Sequence, residues 1–388
     1  MMLSFRLSTL QAPDWAQQTF ARAPLGDQRR AQRATHVAQA MARHPGLSIP
    51  ALFDSPYEVK ATYTFLDRPE ATPDRLQRPH RDAVAQRLRE SDHTFLLLED
   101  TSDMSWAGNQ PVAGLGPIGL GRKGLQGFLL HSVLAVAWPR EAAGHSRRPP
   151  VEVLGLADQI YHVRTPRPAG EKRGHSKARL GRQRESALWA AMGQRLGAAP
   201  AGVRWERVCD RGADIFEFLA ACLALRHGFV VRAAQDRALE DGGRLFQAAC
   251  QADVLGHFEL ALRARPGQSA RVARLAVAAA PVRLRSPQRP GHGAGHEQPI
   301  AATVVRVFEP DPPAGVKAPL EWRSADRRGG GGFRASPGGG GQIQRALADR
   351  GVPQGAEDGP GRRAAATGDG GAAVRGHRHH EPGGAAPD

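Results

Sequence analysis

Residues 95–101, Phe95-Leu96-Leu97-Leu98-Glu99-Asp100-Thr101, are the stretch from which the rest of the chain can be read. Four consecutive apolar residues bounded by polar neighbours predict a strand buried on both faces, and such a run does not end in two carboxylates without a reason. The expected strand leaves the core at Glu99 and Asp100. A second stretch repeats the pattern: residues 203–209, VRWERVC, alternate apolar and polar, then deliver Asp210 into RGADIFEFLAACLALR, whose periodicity is helical. Two strands thus present one Asp each at a carboxyl end. Such a pair suits a hard divalent cation, because magnesium takes a few carboxylate oxygens and keeps its other positions for water and phosphate. Asp is also the ordinary cap of a turn or helix start, so capping explains either residue alone, and the pair gains weight only from its surroundings.

A chain of 388 residues can bury a sizeable core and suggests two or three domains. Its net charge of +15 and pI near 10.9 make a polyanion, and nucleic acid first, the expected partner. A GC-rich coding sequence would also enrich arginine, so the charge is functional only where it clusters. The three cysteines Cys209, Cys222 and Cys250 have neither metal-ligand spacing nor an even framework, which fits a reducing compartment. The amino terminus lacks a secretory pattern and no apolar run is long enough to cross a bilayer, so a soluble cytoplasmic protein, associated with the bacterial nucleoid, is expected, with no membrane partner.

Read in order, residues 1–75 predict a small all-helical domain. Its second helix is expected to start at Asp27 as cap and to stop near Gly46, with Arg29, Arg30 and Arg33 crowding one side while Val37 and Met41 face inward. Guanidinium groups on such a face can lie against phosphates, and a solvated basic face would read the same way. Residues 76–94 predict a connecting helix, and residues 76–238 an α/β core: a mixed five-strand sheet with flanking helices. In that core GFLLHSVLAVAWP and VEVLGLADQIYHV form an antiparallel meander with FLLLEDT, and ALWAAMGQRLG crosses back to the strand carrying Asp210. The Gly-rich GLGPIGLGRKGLQG lacks the GK[ST] ending of a phosphate loop and reads as a hairpin or loop. His131 lies mid-strand as a packed histidine. The basic segment PRPAGEKRGHSKARLGRQRES reads as a loop facing DNA or as an excursion without structure. Residues 239–322 predict a β-rich insertion.

The blocks LLLEDTSDMSW, GLQGFLLHSVLAV, VEVLGLADQIYHVR, VCDRGADIFEFL and GFVVRA, in this order, resemble the insertion-sequence-4 family of DDE transposases, from about Asp14 to Trp322. The resemblance implies an RNase H-like core in which two Asp and one Glu hold two Mg2+ (or Mn2+) ions. The two aspartates fall on Asp100 and Asp210. It also implies double-stranded DNA, the transposon inverted repeats, as partner, and a homodimer whose dimerisation helices would follow Trp322. The block LGD.RR..R resembles the family's end-binding domain, which turns Arg29, Arg30 and Arg33, with the basic-aromatic pair Arg43 and His44, toward DNA contact. Arg232 falls where the family has a DNA-contacting Arg, although a plain strand-end Arg reads alike. Trp322 falls where the family has a Trp that stacks on a flipped base, which needs an exposed ring; burial would give it a core role instead.

After Trp322 the pattern breaks. Residues 323–388 hold 18 of the 45 glycines, including two GGGG runs, so no amphipathic period survives and the segment reads as a low-complexity, disordered tail. The family expects its catalytic Glu here on a helix resembling RIEEFHKALKTG. ADRGVPQGAEDG yields that string when synonymous codons are read one base forward, which points to a frameshift near Trp322. The codon for the Glu would then straddle Arg350 and Gly351, and Glu357 is not assigned its role. The sequence therefore predicts a transposase lineage with impaired cleavage, and as the alternative a DNA-binding remnant that inhibits transposition.

Overall fold

The computed structural model describes residues 5–6, 11–90, 93–108, 110–119, 125–139, 151–165, 185–264, 268–287, 298–316 and 319–327. The helix that the sequence reading expected from a frameshift, residues 328–388 and most of the basic segment lie outside the described residues.

The amino-terminal helices are α1 (Ala12–Phe20), α2 (Gln28–Arg43), α3 (Ile49–Leu52) and α4 (Pro56–Leu66), followed by α5 (Pro73–Arg87). Local chemistry sets their starts. The Asp27 carboxylate accepts from Arg29 N at 2.8 Å, satisfying an amide that the first turn of α2 leaves open, while α1, α3, α4 and α5 each begin with proline in the first turn, where no amide is needed. Ala23, Leu25, Ala34 and Phe65 form the small core, with Phe20 and Leu76 packed against it. Val37 is buried as expected, but Met41 is 43 % exposed. The inward stripe of α2 ends before its last turn, since Ala31, Ala34, Thr35 and Val37 already fill the contact.

The strands are β1 (Phe5–Arg6), β2 (His93–Ala107), β3 (Gly116–Pro117), β4 (Leu125–Pro139), β5 (Val151–His162), β6 (Arg204–Cys209), β7 (Gly228–Arg232), β8 (Val254–Leu262), β9 (Arg271–Leu284), β10 (Ile300–Phe308) and β11 (Glu321–Arg327). Helices α6 (Ala187–Leu196), α7 (Phe216–Ala224) and α8 (Leu245–Gln251) complete the fold. The sheet order is β1-β5-β4-β2-β6-β7-β11-β10-β9-β8, with β3 paired to β4 off this path. Its middle, β5-β4-β2-β6-β7, is the expected five-strand mixed sheet: β4 is antiparallel to β2 and β5, and β6 is parallel to β2 and β7.

Two expectations are corrected, and a third gains detail. First, β2 does not end at Thr101. It continues to Ala107 because β4 matches it residue for residue, from His93 opposite Pro139 to Ala107 opposite Leu125, although its other neighbour β6 stops at Cys209. Secondly, the expected β-rich insertion, residues 239–322, joins the core sheet. Strand β11 bonds to the open edge of β7, with Ser324 opposite Arg232 and Arg327 opposite Phe229, so β8 to β11 extend the same sheet and satisfy backbone groups that β7 would otherwise leave bare. That strand crosses the expected boundary at Trp322. Thirdly, VRWERVC does not alternate in burial: residues 205–209 are all buried.

The two faces of the middle sheet differ. Phe95, Leu97, Val133 and Ala135 pack with Val84 and Leu88 from α5 and its end and with Met192 from α6. A second group under α7 joins Phe216, Phe218 and Leu219 to Cys209, Phe229 and Val231. The opposite face gathers Leu96, Val136, Val151, Val208 and Val230, and among the described residues this group is built from strands alone.

Candidate metal and nucleic-acid site

The last paired position between the parallel strands β2 and β6 is Glu99 opposite Cys209. Asp100 and Asp210 are the next residues on each strand, at a strand spacing of about 4.8 Å. Both are exposed, whereas Glu99 and Cys209 are buried, and Asp210 keeps an extended backbone (φ −77°, ψ −170°). Alternation therefore turns both aspartates to the face of Leu96, Leu98 and Val208. The first short stretch read from the sequence and the second do converge at one sheet end, because the parallel register brings them there. Asp210 also caps: its Oδ1 accepts from Gly212 N at 2.8 Å at the start of a 3-10 turn over Arg211–Ala213. Among the described residues, no group of three His, Cys, Asp or Glu side chains forms a metal cage.

Directly beneath the pair, on the helical face, sits a buried charged cluster that sequence reasoning missed. Glu99 and Arg207 form an ion pair, and the guanidinium donates to the Trp189 carbonyl at 3.1 Å and lies 4.9 Å from the Phe218 ring centre. Cys209 Sγ donates to Glu99 Oε2 at 3.6 Å. Burial pushes the Glu99 carboxyl up to about 7, against the pull of the Arg207 cation. His131 is packed as expected: Nδ1 is 2.8 Å from Thr101 Oγ1 and its ring meets Trp189 edge-on at 4.6 Å. Burial, then the Arg207 cation, lowers it to about 4, so it is neutral at pH 7. The signal for this cluster was two opposite charges at inward positions of two predicted core strands.

Asp214, the second Asp of VCDRGAD, was also missed. It is buried, accepts from Ala234 N and Gln235 N at 2.7 Å each, and pairs with Arg237. It thereby ties the turn after Asp210 to the segment leaving β7.

The predicted DNA-facing residues separate by what they touch. Arg29, Arg43 and His44 are exposed. Arg30 instead pairs with Glu70 at 2.8 Å and donates to the Leu25 carbonyl, and Arg33 pairs with Glu58 on α4, so these two also brace the helices. Arg232 is half-buried at the end of β7, opposite Ser324. Trp322 is half-buried: it packs against the cluster of Phe258, Leu275 and Val305, because β11 is held in the sheet by β10.

A five-helix unit with exposed arginines at both ends of α2 thus precedes a sheet with two aspartates at one end. Residues 12–71 match the family model described as transposase DNA-binding. This chain carries a transposase DNA-binding domain, spanning α1 to α4 and containing no strand of the large sheet. DNA is accordingly its partner, and Asp27, the cap of α2, and Arg29, the first exposed cation of that helix, both lie within the matched segment. No helix among the described residues is long and apolar enough to cross a membrane.

Proposed function

We propose that the chain is a DDE-type transposase of the insertion-sequence-4 kind, in which α1 to α4 grip transposon ends and an RNase H-like sheet presents Asp100 and Asp210 to the scissile phosphate. The observation that carries this reading is the placement of the two aspartates one step beyond Glu99 and Cys209, in a chain that begins with a transposase DNA-binding domain. Two exposed carboxylates side by side fit a hard cation that keeps part of its water shell. Asp100 and Asp210 would hold Mg2+ or Mn2+, which when bound supplies a Lewis acid and stabilises oxygens entering and leaving phosphorus. The chain's own share is positioning: the parallel ladder sets the spacing of the carboxylates, the Gly212 amide orients one Asp210 oxygen, and the buried Glu99 and Arg207 pin the strands beneath.

The family's third carboxylate has no in-frame counterpart in residues 323–388, so cleavage is expected to be weak or absent. The second reading, a DNA-binding remnant that occupies transposon ends, is favoured by the same gap. Thermal melts with MnCl2 test the metal site: a cation-dependent rise in Tm that disappears in Asp100→Asn with Asp210→Asn supports it. An unchanged rise in that double variant, or none in the wild type, places the reading in error. Nicking of supercoiled plasmid with and without Mg2+ then separates a working enzyme from a remnant.

A further inference from the structure

Past Asp100, β2 and its neighbours β4 and β5 carry rings that a folded chain would ordinarily cover. Trp106 and Tyr161 are 49 % and 41 % exposed, and Met104 beside them 37 %. The rings form one connected ladder: Trp106 lies 5.8 Å from Phe128 at 38°, and Phe128 lies 5.6 Å from Tyr161 at 51°. Register places them together, since Met104 is opposite Phe128, and Leu130, one pleat on, is opposite both Ser102 and Tyr161. Even-numbered residues of β2 share a face, so Trp106 stands on the Asp100 side of the sheet, six residues and about 20 Å further along. That span equals about six base steps of a DNA strand.

The surroundings are amphipathic rather than greasy. Tyr161 Oη is 3.3 Å from both Gln77 Nε2 and Gln159 Oε1, which offers amide groups beside the ring. Gln126, opposite Trp106, donates to the Gln110 carbonyl and accepts from Val112 N, which braces the loop after β2. Trp106, Val112 and Leu115 line an open hollow of about 600 Å³ there, within the size range of small-ligand sites. Half-exposed rings beside amide groups match the chemistry of an unpaired nucleobase, because every base has a π-face and an edge that hydrogen-bonds.

We propose that Trp106, Phe128 and Tyr161 form a stacking platform for unpaired bases of the DNA strand that passes over Asp100. The proposal rests on the DNA-processing reading and specifies where a strand separated from its complement is held.

The test compares the full chain with a fluorescein-labelled duplex carrying a single-stranded extension of about ten nucleotides, within known single-strand site sizes, and with the same duplex blunt-ended. The wild type should prefer the extended duplex about ten-fold, the size expected for one or two stacked bases. Trp106→Ala and Tyr161→Ala should each erase most of that preference, Trp106→Phe should restore it, and blunt-duplex affinity and Tm should stay unchanged in all three. Equal binding of both duplexes by the wild type, or a preference that survives Trp106→Ala with Tyr161→Ala, overturns the platform while leaving the DNA reading intact. Failure of the wild type to bind either duplex overturns both. Sedimentation showing a dimer that dissociates in Trp106→Ala, without a change in extension preference, also overturns it, because the rings would then join two copies.

Discussion

Glu99 on β2 and Arg207 on β6 form an ion pair from which solvent is excluded, their side chains being 0 % and 1 % exposed. The pair lies one residue below Asp100 and three below Asp210. It therefore ties together the two strands whose relative register sets the spacing of the exposed aspartates. A buried pair gains little over apolar residues of equal volume, but removing one member strands the other.

Arg207→Met alone should therefore cost about 3–5 kcal/mol of stability, since Glu99 would be left uncompensated. Glu99→Leu combined with Arg207→Met should recover most of that loss. Urea denaturation of the two single variants and the double variant measures the coupling; additive losses would show that the two side chains do not act as a pair.

The pH dependence of stability follows from the buried titrating groups. Burial lowers His131 and His227 from 6.5 to about 4, and lowers His80 in the same direction. Between about pH 4 and 6.5 the unfolded chain binds protons that the folded chain refuses, so these residues make stability rise with pH. Glu99 acts in the opposite sense: its folded value of about 7 exceeds 4.5, so the folded chain holds an extra proton and stability falls from pH 4.5 to 7. Three groups against one predict a net rise up to pH 6.5. Glu99→Gln should steepen that rise, as read from urea midpoints at half-unit pH intervals.

Within the transposase DNA-binding domain, Arg29 and Arg43 are exposed, whereas Arg33 holds Glu58. Arg29→Ala with Arg43→Ala should weaken duplex binding and reduce the slope of log K against log salt by about 0.9 for each phosphate that is no longer neutralised, with Tm unchanged. Arg33→Ala should also lower stability, by up to about 1 kcal/mol, because a partly exposed ion pair is broken. An unchanged slope in the first variant would move the DNA-binding face off this helix.

Asp214→Ala should act on stability before anything else. It strips acceptors from Ala234 N and Gln235 N and leaves Arg237 without its carboxylate, at a cost of about 3 kcal/mol or more. Asp210→Ala removes an exposed cap to Gly212 N and should cost about 1 kcal/mol. Similar losses in thermal melts of the two variants would contradict these different roles for two aspartates of one motif.

Much of this was legible in residues 95–101 and 203–210. An apolar run flanked by carboxylates can be a core strand and little else, and the cap at Asp27 and the packed His131 were equally local readings. What sequence could not reveal lies between strands. The extension of β2 to Ala107 depends on β4 matching it along its whole length, and the single continuous sheet depends on β11 finding the edge of β7. The half-burial of Trp322 and the exposure of Trp106 are likewise set by partners far away in sequence.

By itself, then, the sequence determined which segments are helix and strand, where the aspartates and arginines fall along them, and that the amino-terminal helices are basic. Only the tertiary structure decided that Glu99 meets Arg207, that Asp100 stands beside Asp210, and that three rings from β2, β4 and β5 form one ladder. Periodicity is a property of a single segment, readable from its own residues. Register is a property of two segments, settled only when their hydrogen bonds and side chains are satisfied together.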